Sequence, residues 1–190
     1  MINFSTDTAA FLEELERCAN GPEAPYRVKG LLEQTLPNGL SLPARFFAPN
    51  SEHYSRHLLA RFSNGVTAIV MVWGEGQATP LHDHAGIWCV EGVVKGRIKV
   101  TRYELLGGTG DRLQFQQGEE ILAGVGSSGA LIPPVEHHTI ANTLDQPSAT
   151  IHVYGGEMNQ CKIFLPLERA GYYRPQMRSL LYTTAEPLVG

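Results

Sequence analysis

The chain has 190 residues with a formal net charge of −4, and its lysines and arginines are scattered along the sequence. This length fits one domain with a buried core, and the charge pattern shows neither a nucleic-acid footprint nor a patch for an anionic membrane. Apolar residues make up 43%, charged residues 18%, and there are 20 glycines and 12 prolines. This composition favours a turn-rich, mainly β fold that acts on a small molecule.

The N-terminal stretch MINFSTDTAAFLEELER lacks the basic and apolar regions of a signal peptide, and no apolar run approaches the ~20 residues that span a bilayer. Three cysteines at wide spacing, Cys18, Cys89 and Cys161, form neither a disulfide framework nor a zinc knuckle. We therefore expect a soluble, cytoplasmic protein in which at least one thiol is free of any disulfide.

Helical patterns occupy the N-terminal part of the chain. Apolar residues recur at helical spacing over Thr6–Ala19, where Thr6 or Asp7 is the predicted N-cap. Further short helices are predicted at Val28–Gln34 and around Glu52–Leu59.

Strands are predicted from Leu58 onwards. Six segments have β-branched or alternating patterns bounded by turn residues: Val66–Trp73, Cys89–Arg102, Arg112–Gln116, Gly129–Ile132, His138–Asn142 and Ala149–Tyr154. Short strands at close spacing are typical of a barrel or sandwich. Glu168–Gly190 is predicted to be irregular and to cover the barrel.

Two histidines stand two residues apart, His82 and His84. Residues i and i+2 of a strand point to the same face, so both imidazoles can converge on one metal ion. For this pair alone, a chance pairing or one satisfied core histidine is an equally good interpretation.

The pattern around these histidines is G-x5-H-x-H-x4-C-x6-G, from Gly76 to Gly96, and His138-x3-Asn142 follows Pro133. Both resemble the two motifs of the cupins, small double-sheet barrels with a metal at the mouth, and the match covers Trp73 to Tyr154. The spacing selects His138, not His137, as the third ligand, and Cys89 replaces the usual glutamate. Ser127 and Val135 also stand where the second motif has glycines.

Three neutral imidazoles would leave a divalent ion with its full positive charge. Such a site favours an anionic ligand, and the thiolate of a substrate would serve. Zinc would also accept three histidines.

Several motifs together resemble the cysteine dioxygenase family of thiol dioxygenases: WGEG at 73–76, HDH at 82–84, Cys89, HTIAN at 138–142 and TIHVY at 150–154. The resemblance extends from Tyr54–Ser–Arg56 to Cys161. It implies a single cupin with N-terminal helices: residues 1–60 a helical segment packed on the barrel, 61–165 the barrel, and 166–190 an extension of the same domain. It also implies an Fe(II) enzyme that oxidises L-cysteine with O2 to cysteine sulfinate.

The resemblance also implies roles for individual residues. Fe(II) would be held by His82, His84 and His138; Thr150, His152 and Tyr154 would form a catalytic relay, with Thr150 in place of the family's serine. Arg56, with Tyr54 beside it, would bind the substrate carboxylate, and Cys89 would form a thioether with Tyr154. The alternation of TIHVY independently puts the three relay side chains on one strand face.

Alternatives remain at this point. The thiol acid can instead be 3-mercaptopropionate or mercaptosuccinate, although mercaptopropionate-oxidising relatives have glutamine in place of Arg56 and an arginine after the relay tyrosine. Here residues 155–165 contain Lys162 but no arginine. Other classes are a zinc or manganese cupin enzyme such as an isomerase, and a cupin that only binds a ligand. We expect a monomer or small homo-oligomer whose partners are a small thiol and O2, with no nucleic acid and no membrane.

Overall fold

The computed structural model describes residues 6–189; residues 1–5 and 190, which belong to the first and last predicted segments, lie outside it. Two helices are present in this part of the chain, α1 (Thr8–Cys18) and α2 (Ala24–Thr35), with 3-10 turns at Leu36–Asn38 and Ala44–Phe47. The strands are β1 (Thr6–Asp7), β2 (Leu40–Ser41), β3 (Ser55–Arg61), β4 (Thr67–Trp73), β5 (Leu81–His82), β6 (Cys89–Lys95), β7 (Arg97–Thr109), β8 (Arg112–Gly124), β9 (Ser128–Leu131), β10 (His138–Asn142), β11 (Ser148–Tyr154), β12 (Gln160–Pro166) and β13 (Tyr172–Ser179).

Two sheets form the body of the protein. One has five strands in the order β3-β4-β11-β6-β9, and the other closes on itself in the order β10-β5-β12-β13-β8-β7. Strands β1 and β2 form a separate parallel pair. The predicted fold, a mainly β double-sheet barrel with N-terminal helices, is confirmed.

Strand β4 is buried along its whole length because both faces of the five-stranded sheet are covered. Val70 and Val72 face outward and join the cluster that contains Phe11 and Leu32 of the helices. Met71 and other alternate residues face the barrel interior. The helices therefore supply the second face of this sheet, which explains the continuous apolar run in β4.

The helix predictions are partly correct. α1 begins after Asp7, whose side chain accepts a hydrogen bond from the backbone N–H of Ala10 at 3.2 Å. α2 is longer than the predicted Val28–Gln34. The helix predicted around Glu52–Leu59 is wrong, since Ser55 begins strand β3, which pairs antiparallel with β4.

The prediction of an irregular C-terminal segment is also wrong for Tyr172–Ser179. This segment is β13, which pairs with β12 along its length and with β8 at Tyr172 and Tyr173. The chain then runs beside β3 through bridges at Thr184 and Val189. The sheets therefore extend beyond both ends of the predicted barrel segment 61–165. None of the helices within residues 6–189 has the length and apolar character needed to span a membrane.

Candidate metal centre and the cavity beside it

Three histidines converge inside the barrel. His82 ends β5, His138 begins β10, and the two residues are paired directly across the strands. Their ring centroids are 4.7 Å apart, and the ring of His84 lies 5.2 and 5.1 Å from them. One nitrogen from each ring lies within 4.8 Å of the others, a spacing that can hold a metal ion.

His84 reaches the cluster in a different way from that predicted. Strand β5 ends at His82, so His84 lies in the following loop. Glu136 positions it: its Oε2 accepts a hydrogen bond from the backbone N–H of His84 at 2.8 Å and contacts the ring Nδ1 at 3.1 Å. A carboxylate on the remote nitrogen of a histidine fixes its tautomer and leaves Nε2 for a metal.

The other two rings support the same interpretation. His82 Nδ1 lies 3.0 Å from the carbonyl oxygen of Pro80, which leaves its Nε2 for the centre of the cluster. Both ring nitrogens of His138 are buried and have no hydrogen-bond partner among the residues that the structure describes. Buried nitrogens without partners are costly, and a metal ion at the cluster would satisfy one of them, so the donor set fits a divalent metal.

Burial keeps the imidazoles of His82 and His138 neutral by lowering their pKa values. It lowers the pKa of His82 to about 3, and the neighbouring His84 adds to the effect. Burial likewise holds the pKa of His138 well below its usual range. Neutral imidazole is the form that binds metal, so these two side chains are ready to act as ligands at neutral pH.

Strand β11 carries Thr150, His152 and Tyr154 into the interior, as the alternation predicted, and all three are buried. The indole N–H of Trp73 donates to Thr150 Oγ1 at 2.9 Å, and this oxygen lies 2.8 Å from His152 Nε2. The rings of His152 and Tyr154 stack with centroids 6.1 Å apart. Burial raises the pKa of Tyr154 well above its usual range, so the phenol keeps its proton.

Cys89 lies directly opposite Tyr154 in the pairing of β6 with β11. Its thiol is buried and within hydrogen-bonding reach of the Tyr154 side chain, and burial raises its pKa. Its Sγ also lies 4.0 Å from His152 Nδ1. The two partners of the predicted thioether are thus neighbours, and all three cysteines carry free thiols.

Arg56 is only 5% exposed and comes from β3, the strand that was predicted to be a helix. Its guanidinium donates to the carbonyl oxygen of Met158 at 2.8 Å and stands 5.2 Å from the ring centroid of Tyr182. Tyr54 packs on Trp73 with ring centroids 4.8 Å apart.

One cavity connects the two parts of the site. Its lining includes the two predicted substrate-binding residues, one of the three histidines and two members of the relay: Tyr54, Arg56, His82, His152 and Tyr154. His137 belongs elsewhere, because its ring packs against Phe115 and Phe164 at centroid distances of 5.1 and 5.4 Å.

The family model for cysteine dioxygenase type I matches residues 37–166, more than half of the chain. The chain belongs to the cysteine dioxygenase type I family. A curated relative, cysteine dioxygenase type 1 of Danio rerio, is 25% identical over 117 residues, which are 58% of this chain and 55% of that protein. The chain thus spans about half the length of this relative.

Solved structures with similar folds are more distant. A protein from Thermus thermophilus is 21% identical, with 60% of this chain and 94% of that chain covered and a TM-score of 0.46. The Schizosaccharomyces pombe Cnp3 cupin domain is 13% identical, with coverage of 63% and 74% and a TM-score of 0.46.

The segment shared with the cysteine dioxygenase family contains every site residue predicted from the sequence, but it ends before β13. Arg178 lies on β13, opposite Cys161, and lines the same cavity as Arg56. Sequence analysis missed both Arg178 and Glu136. The Arg178 segment was predicted to be irregular, and the only signal for Glu136 was a carboxylate two residues before His138.

Proposed function

We propose that this chain is a non-haem iron thiol dioxygenase that converts L-cysteine and O2 to cysteine sulfinate. The observation that carries the proposal is a single cavity that joins His82 of the three-histidine cluster, the buried guanidinium of Arg56 and the hydroxyl-bearing residue Tyr154. Membership of the cysteine dioxygenase family supports the same reaction class.

His82, His84 and His138 would hold Fe(II), which would supply the chemistry that joins dioxygen to sulfur. The chain's own residues bind and orient the substrate. Arg56 is buried, and its five N–H donors exceed the two directed at the carbonyl oxygens of Met158 and Leu181, so it is suited to pair with a carboxylate that enters the cavity.

The relay residues would hold protons near the reacting atoms. The Tyr154 hydroxyl remains protonated because it is buried, so it can donate a hydrogen bond to the substrate. Thr150 holds His152 through its ring Nε2, and Trp73 in turn holds Thr150. This chain of contacts fixes the orientation of the imidazole.

One observation favours a different thiol acid. Arg178 adds a second cation to the cavity, and its charge and that of Arg56 both act on the phenol of Tyr54. Two guanidinium groups suit a substrate with two carboxylates, which makes mercaptosuccinate the second candidate. 3-Mercaptopropionate, with one carboxylate and no amine, would use Arg56 alone.

Oxygen uptake tests the proposal. The protein is loaded with Fe(II) without oxygen and then mixed with O2 and cysteine, 3-mercaptopropionate, mercaptosuccinate or cysteamine, and the sulfinate product is measured. We expect the highest kcat/KM for cysteine. A preference for mercaptosuccinate would support the second candidate. If no thiol stimulates oxygen uptake, the chain is not a thiol dioxygenase, and a non-oxygenase metal cupin becomes the better interpretation.

A further inference from the structure

Glu91 is a buried acid to which the proposed function assigns no role. It lies on β6, two residues after Cys89 and therefore on the same inward face, and it is 6% exposed. Its Oε2 has no hydrogen-bond partner within residues 6–189. A buried carboxyl group without partners destabilises a fold, so its presence calls for a function.

A polar group of the relay lies close to Glu91. Glu91 Oε2 lies 3.5 Å from His152 Nδ1, the ring nitrogen that faces away from Thr150. This separation is longer than a formed hydrogen bond but lies within the range of a buried ion pair. His152 thus lies between Glu91 on one ring nitrogen and Thr150 on the other, and it also lines the cavity that contains Arg56.

Glu91 also lines a second cavity of about 100 Å³, which has room for several water molecules. Most of its wall is apolar, from residues of β7 and β8 such as Ile98 and Ile121. The polar part includes Glu91, Arg102 and Ser128, and the buried Ser128 hydroxyl has no partner among the described residues. Arg102 is exposed to solvent, and no described residue lines both this cavity and the Arg56 cavity.

The charges around Glu91 favour a carboxyl group that exchanges its proton near neutral pH. Burial raises the pKa of Glu91 to about 8, while Arg102 on β7 acts in the opposite direction. The other titratable groups facing it are His152 and Tyr154 of β11 and Cys89 of its own strand.

The reaction proposed above must release one proton per turnover. A thiol RSH and O2 give a sulfinate RSO2⁻ and H⁺: the S–H bond breaks, both oxygen atoms bond to sulfur, and sulfur supplies the electrons that reduce dioxygen. The sulfinate leaves as an anion, so the thiol proton must reach solvent by another path.

We propose that Glu91 and the second cavity form the path by which the substrate's proton leaves the site, with His152 as the link between the two cavities. The proposal rests on the proposed thiol dioxygenase function. Glu91 does not touch the substrate and acts through His152 as a positioning and proton-accepting residue.

The direct test is proton release without turnover. Iron-loaded protein is mixed with cysteine in the absence of oxygen, in weak buffer with a pH-indicator dye. In Glu91→Gln the amide keeps the shape but cannot accept the proton, so proton release and kcat should both fall about tenfold or more. KM and iron content should stay at parent values, and the melting temperature should not fall below that of the parent. Glu120→Gln is the matched control, because Glu120 is an exposed carboxylate of β8 paired with Lys99.

A second variant guards against a purely structural effect. Glu91→Ala enlarges the second cavity, and added formate, a small external carboxylate, should restore much of the lost kcat. Suppose that the parent consumes oxygen with thiols. An unchanged proton-release rate in Glu91→Gln, or a slower rate that a lower iron content explains, would then overturn the proposed proton path but not the proposed function. Absence of thiol-dependent oxygen uptake in the parent would overturn the proposed function and this path with it.

Discussion

At the residue scale, His138 presents two buried ring nitrogens that the described part of the chain leaves without partners, at the centre of a cluster with His82 and His84. Replacing any one of the three with Ala deletes one of three candidate ligands and should reduce bound iron at least tenfold. His137→Ala is the matched control, because its ring packs on Phe115 and Phe164 instead. Elemental analysis decides, and full iron in any cluster variant contradicts this ligand set.

Arg56 should determine whether the protein prefers substrates that carry a carboxylate. Arg56→Ala would bury the carboxylate of cysteine without a partner, so we expect a steep rise in KM and a loss on the order of 2–4 kcal/mol in kcat/KM. Iron content should stay normal.

Cysteamine serves as the control substrate for Arg56, because it has the thiol and amine but no carboxylate. It should be a poor substrate of the parent and lose little more in Arg56→Ala. Equal losses for cysteine and cysteamine would show that Arg56 does not bind the carboxylate.

The buried acid Glu91 should make stability depend on pH. Its pKa is about 8 when folded, against 4.5 without the fold, so the folded protein holds this proton more tightly. The free energy of unfolding therefore falls as pH rises from about 4.5 to about 8. Glu91→Gln removes this loss. The free energy of unfolding of the variant should therefore rise relative to that of the parent by an amount on the order of a few kcal/mol across that pH range. Denaturant unfolding of both proteins at the two ends of this pH range measures the change. A difference in stability between variant and parent that does not vary with pH would contradict the raised pKa of Glu91.

At the scale of elements, the register of β6 against β11 places Cys89 opposite Tyr154. A thiol and a phenol beside an oxygen-activating iron can couple, with loss of two hydrogens to dioxygen as the oxidant. We predict that part of the protein carries a Cys89–Tyr154 thioether and that this fraction grows with turnover. Peptide mapping tests this, with Cys161 as the internal control; unmodified residues after many turnovers would contradict it without affecting the ligands.

Strands whose pattern reflects burial were predictable from sequence. β10 matches its predicted bounds, and β4 and β11 each differ by one residue. β4 and β11 are buried along their whole length, whereas burial alternates along β10, and both patterns are visible in the sequence. β3 was not predictable from its own sequence, because SRHLLAR contains good helix formers. It is a strand because it pairs with β4, which the local pattern of SRHLLAR does not show.

β13 was missed for a different reason. Pro175 argues against a central strand, since it donates no backbone hydrogen bond. The structure accommodates it because β13 pairs with β8 only at Tyr172 and Tyr173, so from Arg174 onwards its second side is free of β8. A proline at such an edge position is compatible with a strand.

At the scale of the whole molecule, the site draws on both sheets. His82, His138 and Arg178 come from the closed sheet, whereas Arg56 and Tyr154 come from the five-stranded one. Motif spacing predicted the candidate ligands and the candidate relay residues because those residues lie within short segments. Glu91 occupies an unspecified position of the Gly76–Gly96 motif, and the pairing of β6 with β11 places it opposite His152. Glu136 and Arg178 are not motif residues, and only the fold brings them to the site.

The most direct test of the central claim is the origin of the oxygen atoms in the product. Iron-loaded protein is supplied with cysteine and isotopically labelled O2, and the sulfinate is analysed by mass spectrometry, with zinc-loaded protein as the control. We expect that both sulfinate oxygens carry the label and that the zinc form makes no product. Product with only one labelled oxygen, or no thiol oxidation by the iron form, would contradict it.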